Sequence, residues 1–393
     1  MTRCVARSLV LALALCLALP ALVQAASPSG TAYLVSPATE KKIDLLLAKM
    51  TLEEKVGQLN QYSNPLDLTG PAAAPGLQKR AYDEIRGGLV GSMLNVNGAE
   101  ATRKAQELAL SGSRLKIPMI FGYDVIHGYK TIFPIPLAEA ASFDPAAAEL
   151  SARVAATEAA AAGQHWTFAP MVDVSRDARW GRIMEGSGED VYLGSVMAAA
   201  RVRGFQGKDL AAVDTIAACV KHYAGYGFGE AGRDYNTADM SEHTLRNVVL
   251  PPFKAAADAG AATFMNSFNE IGGIPSTGNA HLQRDILKGE WGFQGFVVSD
   301  WGSIGEMIPH GFSADLKQAA QQALAAGSDM DMESRAYVGH LVALVKEKKV
   351  DARLVDDAVR RILRVKFALG LFDDPFRYSD PAREKAATLT PAN

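Results

Sequence analysis

Short apolar segments of strand character recur along the chain, and amphipathic or alanine-rich segments separate them. Short apolar runs that are rich in β-branched and aromatic residues predict buried strands, whereas longer segments with a helical period predict helices. The predicted strands cover residues 56–62, 88–95, 117–124, 166–173, 216–222, 262–267, 296–300 and 327–331. The predicted helices include residues 146–162, 241–259, 314–326 and 352–369.

Two sequence signals mark helix starts near the beginning of this pattern. We expect a first helix to begin near Ser36, a residue type that favours the N-cap position. Thr51 is followed three residues later by Glu54, which is the spacing of a capping box. That spacing predicts a short second helix immediately before the first strand.

The alternation of strands and helices predicts the fold class. Strands that alternate with helices form parallel βα units, which pack into one layered domain. Eight such strands predict an α/β fold in the form of a closed (β/α)8 TIM-like barrel, a single domain for which about 250 residues is typical. A doubly wound open sheet is the alternative, but no GxGxxG sequence follows any predicted strand.

Polar residues stand where the predicted strands end. The clearest case is FVVSDW, in which the apolar run 296–298 is followed by Asp300 and Trp301. An aspartate at such a position can simply cap the next helix, but a ring of polar strand ends indicates the active-site face of a barrel. The polar residues at the other strand ends are Asn95, Asp124, Asp173, Lys221, His222, Asn266, Ser267, Asp329 and Asp331.

The amino-terminal segment has the pattern of a cleavable signal peptide over residues 1–25. Arg3 and Arg7 precede an apolar run from Leu9 to Val23, and small residues occupy the positions before the expected cleavage site. The run is short for a membrane span. We therefore expect a periplasmic or secreted protein without stable membrane insertion.

Composition narrows the possible partners and the redox chemistry. Removal of Arg3 and Arg7 would change the formal net charge of the 393-residue chain from −3 to −5, and no basic run is present. This charge pattern argues against nucleic acid as a partner. Cleavage would leave Cys219 as the remaining cysteine, inside an apolar run, so we expect a buried thiol rather than a disulfide.

The candidate chemistry is that of carboxylates and aromatic side chains. The chain has no HExxH sequence, no GxSxG after a strand and no GxxxxGK[ST] loop, so we predict no metal and no cofactor. Carboxylates near aromatic faces are typical of glycoside chemistry. The candidate sugar platforms are Trp180, Tyr226, Phe268 and Trp301. The candidate hydroxyl-binding groups are Asp124, Arg182, Lys221 and His222.

Four long motifs, in a fixed order, resemble glycoside hydrolase family 3, and in particular its bacterial periplasmic β-glucosidases. The motifs are GYDVIHGYKTIFPIPL, APMVDVSRDARWGRIMEGSGED, VKHYAGYG and VVSDW, and the resemblance spans about residues 40 to 375. It implies retaining hydrolysis of terminal β-D-glucosyl residues of β-glucosides or gluco-oligosaccharides, with Asp300 as the nucleophile. It also implies substrate binding by Asp124, Arg182, Lys221, His222, Met265, Phe268 and Trp301.

The chain also departs from the pattern of this family. Many relatives carry tyrosine at the position of Phe268, so we expect this chain to lack one hydroxyl contact to the sugar. Two-domain relatives take their acid/base glutamate from an α/β sandwich domain after the barrel. We expect residues 26–380 to form the barrel and the polar tail 381–393 to mark where a linker to that separate or downstream domain would begin.

Single-domain relatives use a histidine in the loop after the Lys-His pair as part of their acid, and this chain has Tyr226 there. Glu230 and Asp234 lie in the same loop and are the substitutes to test. The alternative to an enzyme is a truncated, split or non-catalytic sugar-binding barrel. Among the remaining motif residues, we expect Arg179 to pair with Asp177 or Glu185 and His127 to support the Asp124 loop.

Overall fold

The structure, a computed structural model, describes residues 30–64 and 77–393, and strands alternate with helices through both ranges. The strands are β1 (Asn60–Ser63), β2 (Ser92–Leu94), β3 (Ile120–Tyr123), β4 (Trp166–Thr167), β5 (Cys219–Tyr223), β6 (Thr263–Asn266), β7 (Glu270–Ile271), β8 (Ile274–Pro275), β9 (Phe296–Val298) and β10 (Asp331–Met332). Two π-helical segments, Leu245–Val249 and His281–Glu290, accompany the α-helices.

The α-helices lie mainly between the strands. They are α1 (Pro37–Leu47), α2 (Leu52–Gln58), α3 (Leu77–Arg86), α4 (Ala99–Gly112), α5 (Pro136–Ala140), α6 (Pro145–Ala161), α7 (Val191–Gln206), α8 (Glu242–Thr244), α9 (Leu250–Asp258), α10 (Ser303–Glu306), α11 (Leu316–Ala326), α12 (Ala336–Lys346), α13 (Ala352–Ala368) and α14 (Pro381–Ala387).

Two parallel sheets carry the fold. In the described residues, one sheet has the strand order β10-β1-β2-β3-β4 and the other has the order β5-β6-β9, while β7 and β8 form a small antiparallel hairpin. This arrangement confirms the predicted α/β class with parallel strands. The ladders do not close into one ring in the described part of the chain, although single parallel bridges pair Trp166 with Ala217 and Val298 with Met330.

The sequence predicts a signal peptide and no stable membrane insertion. The signal peptide expected over residues 1–25 lies outside the described residues. Among the residues that the structure describes, no helix combines the length and the apolar character that a membrane crossing requires.

The first predicted strand begins later than expected. Residues 56–58 belong to α2, and β1 starts only at Asn60. The reason is the capping box: the Thr51 side chain accepts the Glu54 backbone N–H, and the Glu54 carboxylate accepts the Thr51 N–H. Both bonds satisfy otherwise free helix-end donors, so the helix extends through the apolar residues that resemble a strand start.

The predicted helices agree closely with the structure, with one interruption. The segment 241–259 is helical throughout but contains the π turn Leu245–Val249 between α8 and α9. Pro251 and Pro252 follow at once and have no backbone N–H to donate, so the usual α-helical bonding is lost at this point. The expected helix start at Ser36 is confirmed, because its side chain accepts the Thr39 N–H.

Small residues let helices approach the sheets and one another closely. Alanine-rich α6 packs on α7, where a side chain at Gly204 would stand 2.4 Å from the Glu149 carbonyl oxygen. Trp166 packs edge-on against both Phe168 and Phe296 inside the core. Cys219 is buried with a free thiol, as predicted.

Candidate active site

The ends of three parallel strands bring four of the predicted site residues together. Asp124 directly follows β3, Lys221 and His222 lie in β5, and Asp300 stands two residues after β9. Lys221 Nζ is 3.2 Å from Asp124 Oδ1, and His222 Nε2 is 3.5 Å from Asp300 Oδ2. Carboxyl ends of parallel strands share one edge, which explains how residues up to 176 positions apart in the chain meet here.

Asp300 is a nearly buried carboxylate with one oxygen already engaged. Its Oδ1 accepts the backbone N–H of Trp301 at 2.6 Å, and Oδ2 faces His222. Burial raises the pKa of Asp300 to about 6, although the nearby Lys221 and Arg182 charges and the Trp301 N–H oppose that rise. A carboxylate with a raised pKa that is surrounded by cations is typical of a functional site.

His222 is held in place by a second buried aspartate. Asp173 Oδ2 accepts the backbone N–H of His222 at 2.8 Å and lies 2.9 Å from its ring Nδ1. Burial lowers the pKa of His222 well below its ordinary value and raises the pKa of Asp173 to about 7. The imidazole is therefore neutral near pH 7, and Asp173 fixes which ring nitrogen points at Asp300.

Lys221 connects the exposed Asp124 to a half-buried ion pair. Its ammonium lies 3.8 Å from Glu185 Oε2, and Glu185 also receives two hydrogen bonds from the Arg182 guanidinium, at 2.6 and 3.0 Å. Burial opposes the charge on Lys221, but Asp124 and Glu185 more than offset it and raise its pKa. Lys221 is thus a buried cation, while the Asp124 side chain is 54% exposed and open to a ligand.

Some aromatic residues of this region are buried and others are exposed. Trp180, Tyr226 and Phe268 form a buried cluster with Met171, and Met265 is buried in the main core. Trp301, in contrast, is 49% exposed, and Tyr235 is 48% exposed with its ring 4.6 Å from that of Phe268. Of the four aromatic platforms proposed from the sequence, Trp301 offers the free face.

The acid candidates from the sequence lie in an exposed loop, and one of them bonds to the buried aromatic cluster. Glu230 and Asp234 are exposed, and Asp234 Oδ1 accepts the Trp180 indole N–H at 2.9 Å. Glu306, at the end of α10, is half-buried and has no hydrogen bond or ion pair through its carboxylate in the described residues. Burial and the charge of Asp300 raise the pKa of Glu306 to about 7.

Sequence reasoning did not single out Glu185 or Glu306 for the site. Glu185 stands three residues after Arg182, a spacing that places both on one face of a helical turn, and this could have indicated their pairing. Glu306 stands in the helix that starts right after Asp300, which places it near the nucleophile candidate. Neither signal is specific without the fold.

Two of the polar strand ends serve the fold instead. Asp329 lies in a buried ion pair with Lys288, at 2.7 Å, and also accepts the Val297 N–H, so it is a structural residue rather than a member of the ring. Asp331 accepts the backbone N–H groups of Ser334 and Tyr337 at the start of α12. These positions correct the expectation of a complete polar ring.

The supporting motif residues lie as the sequence suggested. Arg179 pairs with Asp177 at 2.6 Å on the surface. His127 Nδ1 contacts the Phe133 carbonyl at 2.9 Å and so closes the loop that begins at Asp124. Among the residues described, no group of three or more His, Cys, Asp or Glu side chains is arranged to hold a metal ion.

Comparisons with known proteins give consistent matches. The family model of the glycosyl hydrolase family 3 N terminal domain matches residues 51–365. The periplasmic beta-glucosidase of Salmonella typhimurium is 44% identical over 353 residues, which cover 90% of this chain and 45% of that protein. The lysosomal beta glucosidase of Dictyostelium discoideum is 34% identical and is covered over 44% of its length.

A solved structure gives the same result. The beta-glucosidase from Listeria innocua in complex with isofagomine has a TM-score of 0.85 and 43% identity to this chain, over 90% of this chain and 49% of that one. The chain therefore spans about half the length of the relatives that it matches.

Proposed function

This chain belongs to glycosyl hydrolase family 3, and we propose that it contributes the nucleophile and the sugar-binding groups of a retaining β-glucosidase. The proposed reaction removes terminal non-reducing β-D-glucosyl residues from β-glucosides or gluco-oligosaccharides. The observation that carries it is Asp300, a nearly buried carboxylate that is 3.5 Å from His222 and lies in the field of Lys221 and Arg182.

The proposed reaction has two steps at Asp300. One carboxylate oxygen attacks the anomeric carbon, the bond to the aglycone oxygen breaks, and that oxygen takes up a proton from the general acid/base. Water then cleaves the glycosyl–Asp300 ester and returns the proton to the general acid/base. The Trp301 N–H, which binds Oδ1, and the fixed His222 ring would keep the carboxylate aimed at the sugar.

Asp124, Lys221, His222 and Arg182 are proposed to hold the glucose hydroxyls. The exposed Asp124 carboxylate accepts hydrogen bonds, and the buried Lys221 ammonium donates them, so a hydroxyl can bridge the pair. Trp301 is proposed to support the apolar face of the sugar, and the buried Met265 and Phe268 are proposed to line the same site. A shared pocket that is as wide as one pyranose ring remains a prediction.

The general acid is proposed to come from a second domain. The support is that relatives are about twice as long as this chain and that Glu230 and Asp234 are exposed side chains of one loop. Within the described residues, Glu306 is the alternative acid, because a carboxyl group with a pKa of about 7 can carry a proton near neutral pH.

We also propose that the strands close into a barrel and that the protein is exported. A closed (β/α)8 barrel over residues 26–380 is supported by the single bridges that pair Trp166 with Ala217 and Val298 with Met330. Residues 381–393, which form α14 and the segment whose Leu389 and Asn393 bind Glu158, are proposed to lead toward the second domain. A signal peptide over residues 1–25 and a periplasmic or secreted location are supported by the periplasmic relative.

The substrate dependence of the chain tests the proposed origin of the acid. Dinitrophenolate leaves without protonation, whereas the bridging oxygen of cellobiose needs a proton. We expect slow turnover of dinitrophenyl β-glucoside, almost none of cellobiose, and faster deglycosylation when azide is added. Efficient cellobiose cleavage would contradict a missing acid, and Glu230→Gln, Asp234→Asn and Glu306→Gln would then be the variants to compare.

The pH dependence tests the nucleophile. Asp300 must be ionised to attack, and its pKa is about 6, so kcat/KM for dinitrophenyl β-glucoside should fall as the pH drops through about 6. Lys221 lowers the pKa of Asp300 and Asp124 raises it. Lys221→Met should therefore shift this acid limb to higher pH, and Asp124→Asn should shift it to lower pH. An acid limb that stays in place in both variants would assign it to another group.

The alternative is a sugar-binding barrel without chemistry. The observation in its favour is that the chain spans about half of its relatives' length. Glucose binding by calorimetry, together with no release of dinitrophenolate at any pH between about 5 and 8, would favour this alternative. Release of dinitrophenolate that depends on Asp300 would exclude it.

A further inference from the structure

Glu158 is a fully buried carboxylate near the end of α6, outside the cluster around Asp300. No cationic side chain lies within ion-pair distance of it in residues 30–64 and 77–393. Five hydrogen-bond donors surround its two oxygens instead. They are the Lys130 N–H, the Thr131 N–H and hydroxyl, the Leu389 N–H and the Asn393 side-chain amide, at distances of 2.7–3.0 Å.

These donors belong to two segments that are far apart in the chain. Lys130 and Thr131 form the tip of the loop that begins at Asp124, whereas Leu389 and Asn393 belong to the tail after α14. Oε2 binds the two loop amides, and Oε1 binds the Thr131 hydroxyl and both tail groups. The one carboxylate therefore holds the loop and the tail at the same time.

Contacts within the loop link its tip to its base. Gly128 and Ile132 form an antiparallel bridge. The His127 carbonyl oxygen accepts the Phe133 backbone N–H, and the His127 ring Nδ1 contacts the Phe133 carbonyl oxygen. At the base of the loop, Val125 donates its N–H to Thr167 Oγ1. These contacts connect the tip of the loop to its base, where Asp124 precedes Val125 directly.

A buried carboxylate without a cation is costly unless hydrogen bonds satisfy its oxygens. Burial alone would raise the pKa of Glu158, but the donors from the loop and the tail hold it below its ordinary value. The carboxylate is thus ionised near pH 7 and acts as a pure acceptor. Loss of either set of donors would leave the other set bound to an under-satisfied charge, which links the two segments energetically.

We propose that Glu158 is a positioning residue that couples the carboxyl-terminal tail to the loop carrying Asp124, so that the order of residues 389–393 controls how well Asp124 binds sugar. The inference rests on the proposed role of Asp124 in holding a glucose hydroxyl. It adds a regulation to that site: a partner or a segment that captures the tail would alter sugar affinity without touching the sugar.

Glu158→Gln tests the link with little change of shape. The glutamine amide nitrogen is itself a donor, and in either orientation it would face the donors of the loop or those of the tail. The glutamine side chain therefore cannot accept hydrogen bonds from both segments. We expect hydrogen exchange at the Lys130 and Thr131 amides to speed up about tenfold or more. Removal of residues 389–393, which leaves Glu158 in place, should speed up the same amides a few-fold. Leu389 is an exposed side chain, so this removal should leave the core folded.

Glu384→Gln is the matched control. Glu384 also lies in the carboxyl-terminal segment, but its carboxylate accepts the Ala99 N–H at the start of α4 and not a donor of the loop. Its charge acts on the Tyr129 side chain of the loop but it binds no loop amide, so its replacement should change exchange at the Lys130 and Thr131 amides far less than Glu158→Gln does. Thr131→Ala is the second variant to use if Glu158→Gln does not fold, because it removes one loop donor and keeps the carboxylate.

A reciprocal readout separates coupling from simple stabilisation. If tail order favours sugar binding, then sugar binding must favour tail order by the same factor. Saturating glucose should slow exchange at the Leu389 amide in the wild-type chain and not in Glu158→Gln, and glucose should bind about tenfold more weakly to the chain without residues 389–393.

Two results would overturn the proposal. One is unchanged exchange at Lys130 and Thr131 after removal of residues 389–393; the other is equal slowing of Leu389 exchange by glucose in both proteins. If the wild-type chain binds no glucose, the proposed function fails, and the exchange of the loop amides after tail removal still decides whether the coupling exists.

Discussion

Asp300→Ala should reduce the release of dinitrophenolate from dinitrophenyl β-glucoside by about 10³-fold or more, which corresponds to about 4 kcal/mol of barrier. The variant lacks the oxygen that would bond to the anomeric carbon, whereas the glycone-binding groups stay in place. Because Asp300 is buried, its loss leaves space beside His222, and added azide should enter that space and restore part of the rate.

Two further measurements on Asp300→Ala serve as controls. Glucose affinity, measured by calorimetry, should change far less than the rate, since binding and chemistry would depend on different groups. The product of the azide-rescued reaction should be the glucosyl azide of inverted configuration, because azide would attack directly. A rate that is within about tenfold of the wild-type value would remove Asp300 from the chemistry.

Lys221→Met should lower kcat/KM for the same substrate by about 10²- to 10³-fold, or about 3–4 kcal/mol, and Asp124→Ala should have a similar effect. Both groups would bind sugar hydroxyls more strongly in the transition state than in the ground state. Lys221 is also buried, so its replacement by methionine keeps the volume of the stem and removes the charge.

The double variant provides the sharper comparison. Lys221 Nζ and Asp124 Oδ1 are 3.2 Å apart, so the two losses should not add. If the pair holds one hydroxyl jointly, the double variant should be little worse than either single variant. Losses that add fully would show that the two residues act separately, and unchanged glucose affinity and kcat/KM in both single variants would show that they are structural.

Local signals were enough to predict much of the architecture. The capping box at Thr51, the N-cap at Ser36 and the alanine-rich helix α6 are determined by neighbours within one or two turns, so the sequence indicates them directly. The parallel strands follow from short apolar runs with helices between them. Closure of the strands into one ring depends on pairings between distant segments, which no local pattern specifies.

The candidate site was predictable where a motif carries it. Asp124, Lys221, His222 and Asp300 stand at or near strand ends, and the structure brings them together in pairs. Residues whose environment is tertiary were not predictable. Asp329 looks like another strand-end carboxylate in the sequence, yet Lys288, from a distant π-helical segment, pairs with it in the core.

Burial separated other residues that the sequence could not distinguish. Trp180 and Trp301 are both motif tryptophans, but Trp180 lies in a buried aromatic cluster and Trp301 faces solvent. Glu306 has no motif at all, and its raised pKa comes from burial and from the charge of Asp300. Exposure and electrostatic neighbours are properties of the fold, so they had to be read from the structure.

A covalent label tests the central claim, that Asp300 forms a glycosyl ester. The 2-fluoro dinitrophenyl β-glucoside has a good leaving group, and its fluorine slows hydrolysis of the intermediate, so the ester should accumulate. Mass spectrometry of the wild-type chain should find one fluoroglucosyl group on the peptide that contains Asp300, and Asp300→Ala should remain unlabelled. A label on any other carboxylate, or equal labelling of Asp300→Ala, would contradict the account.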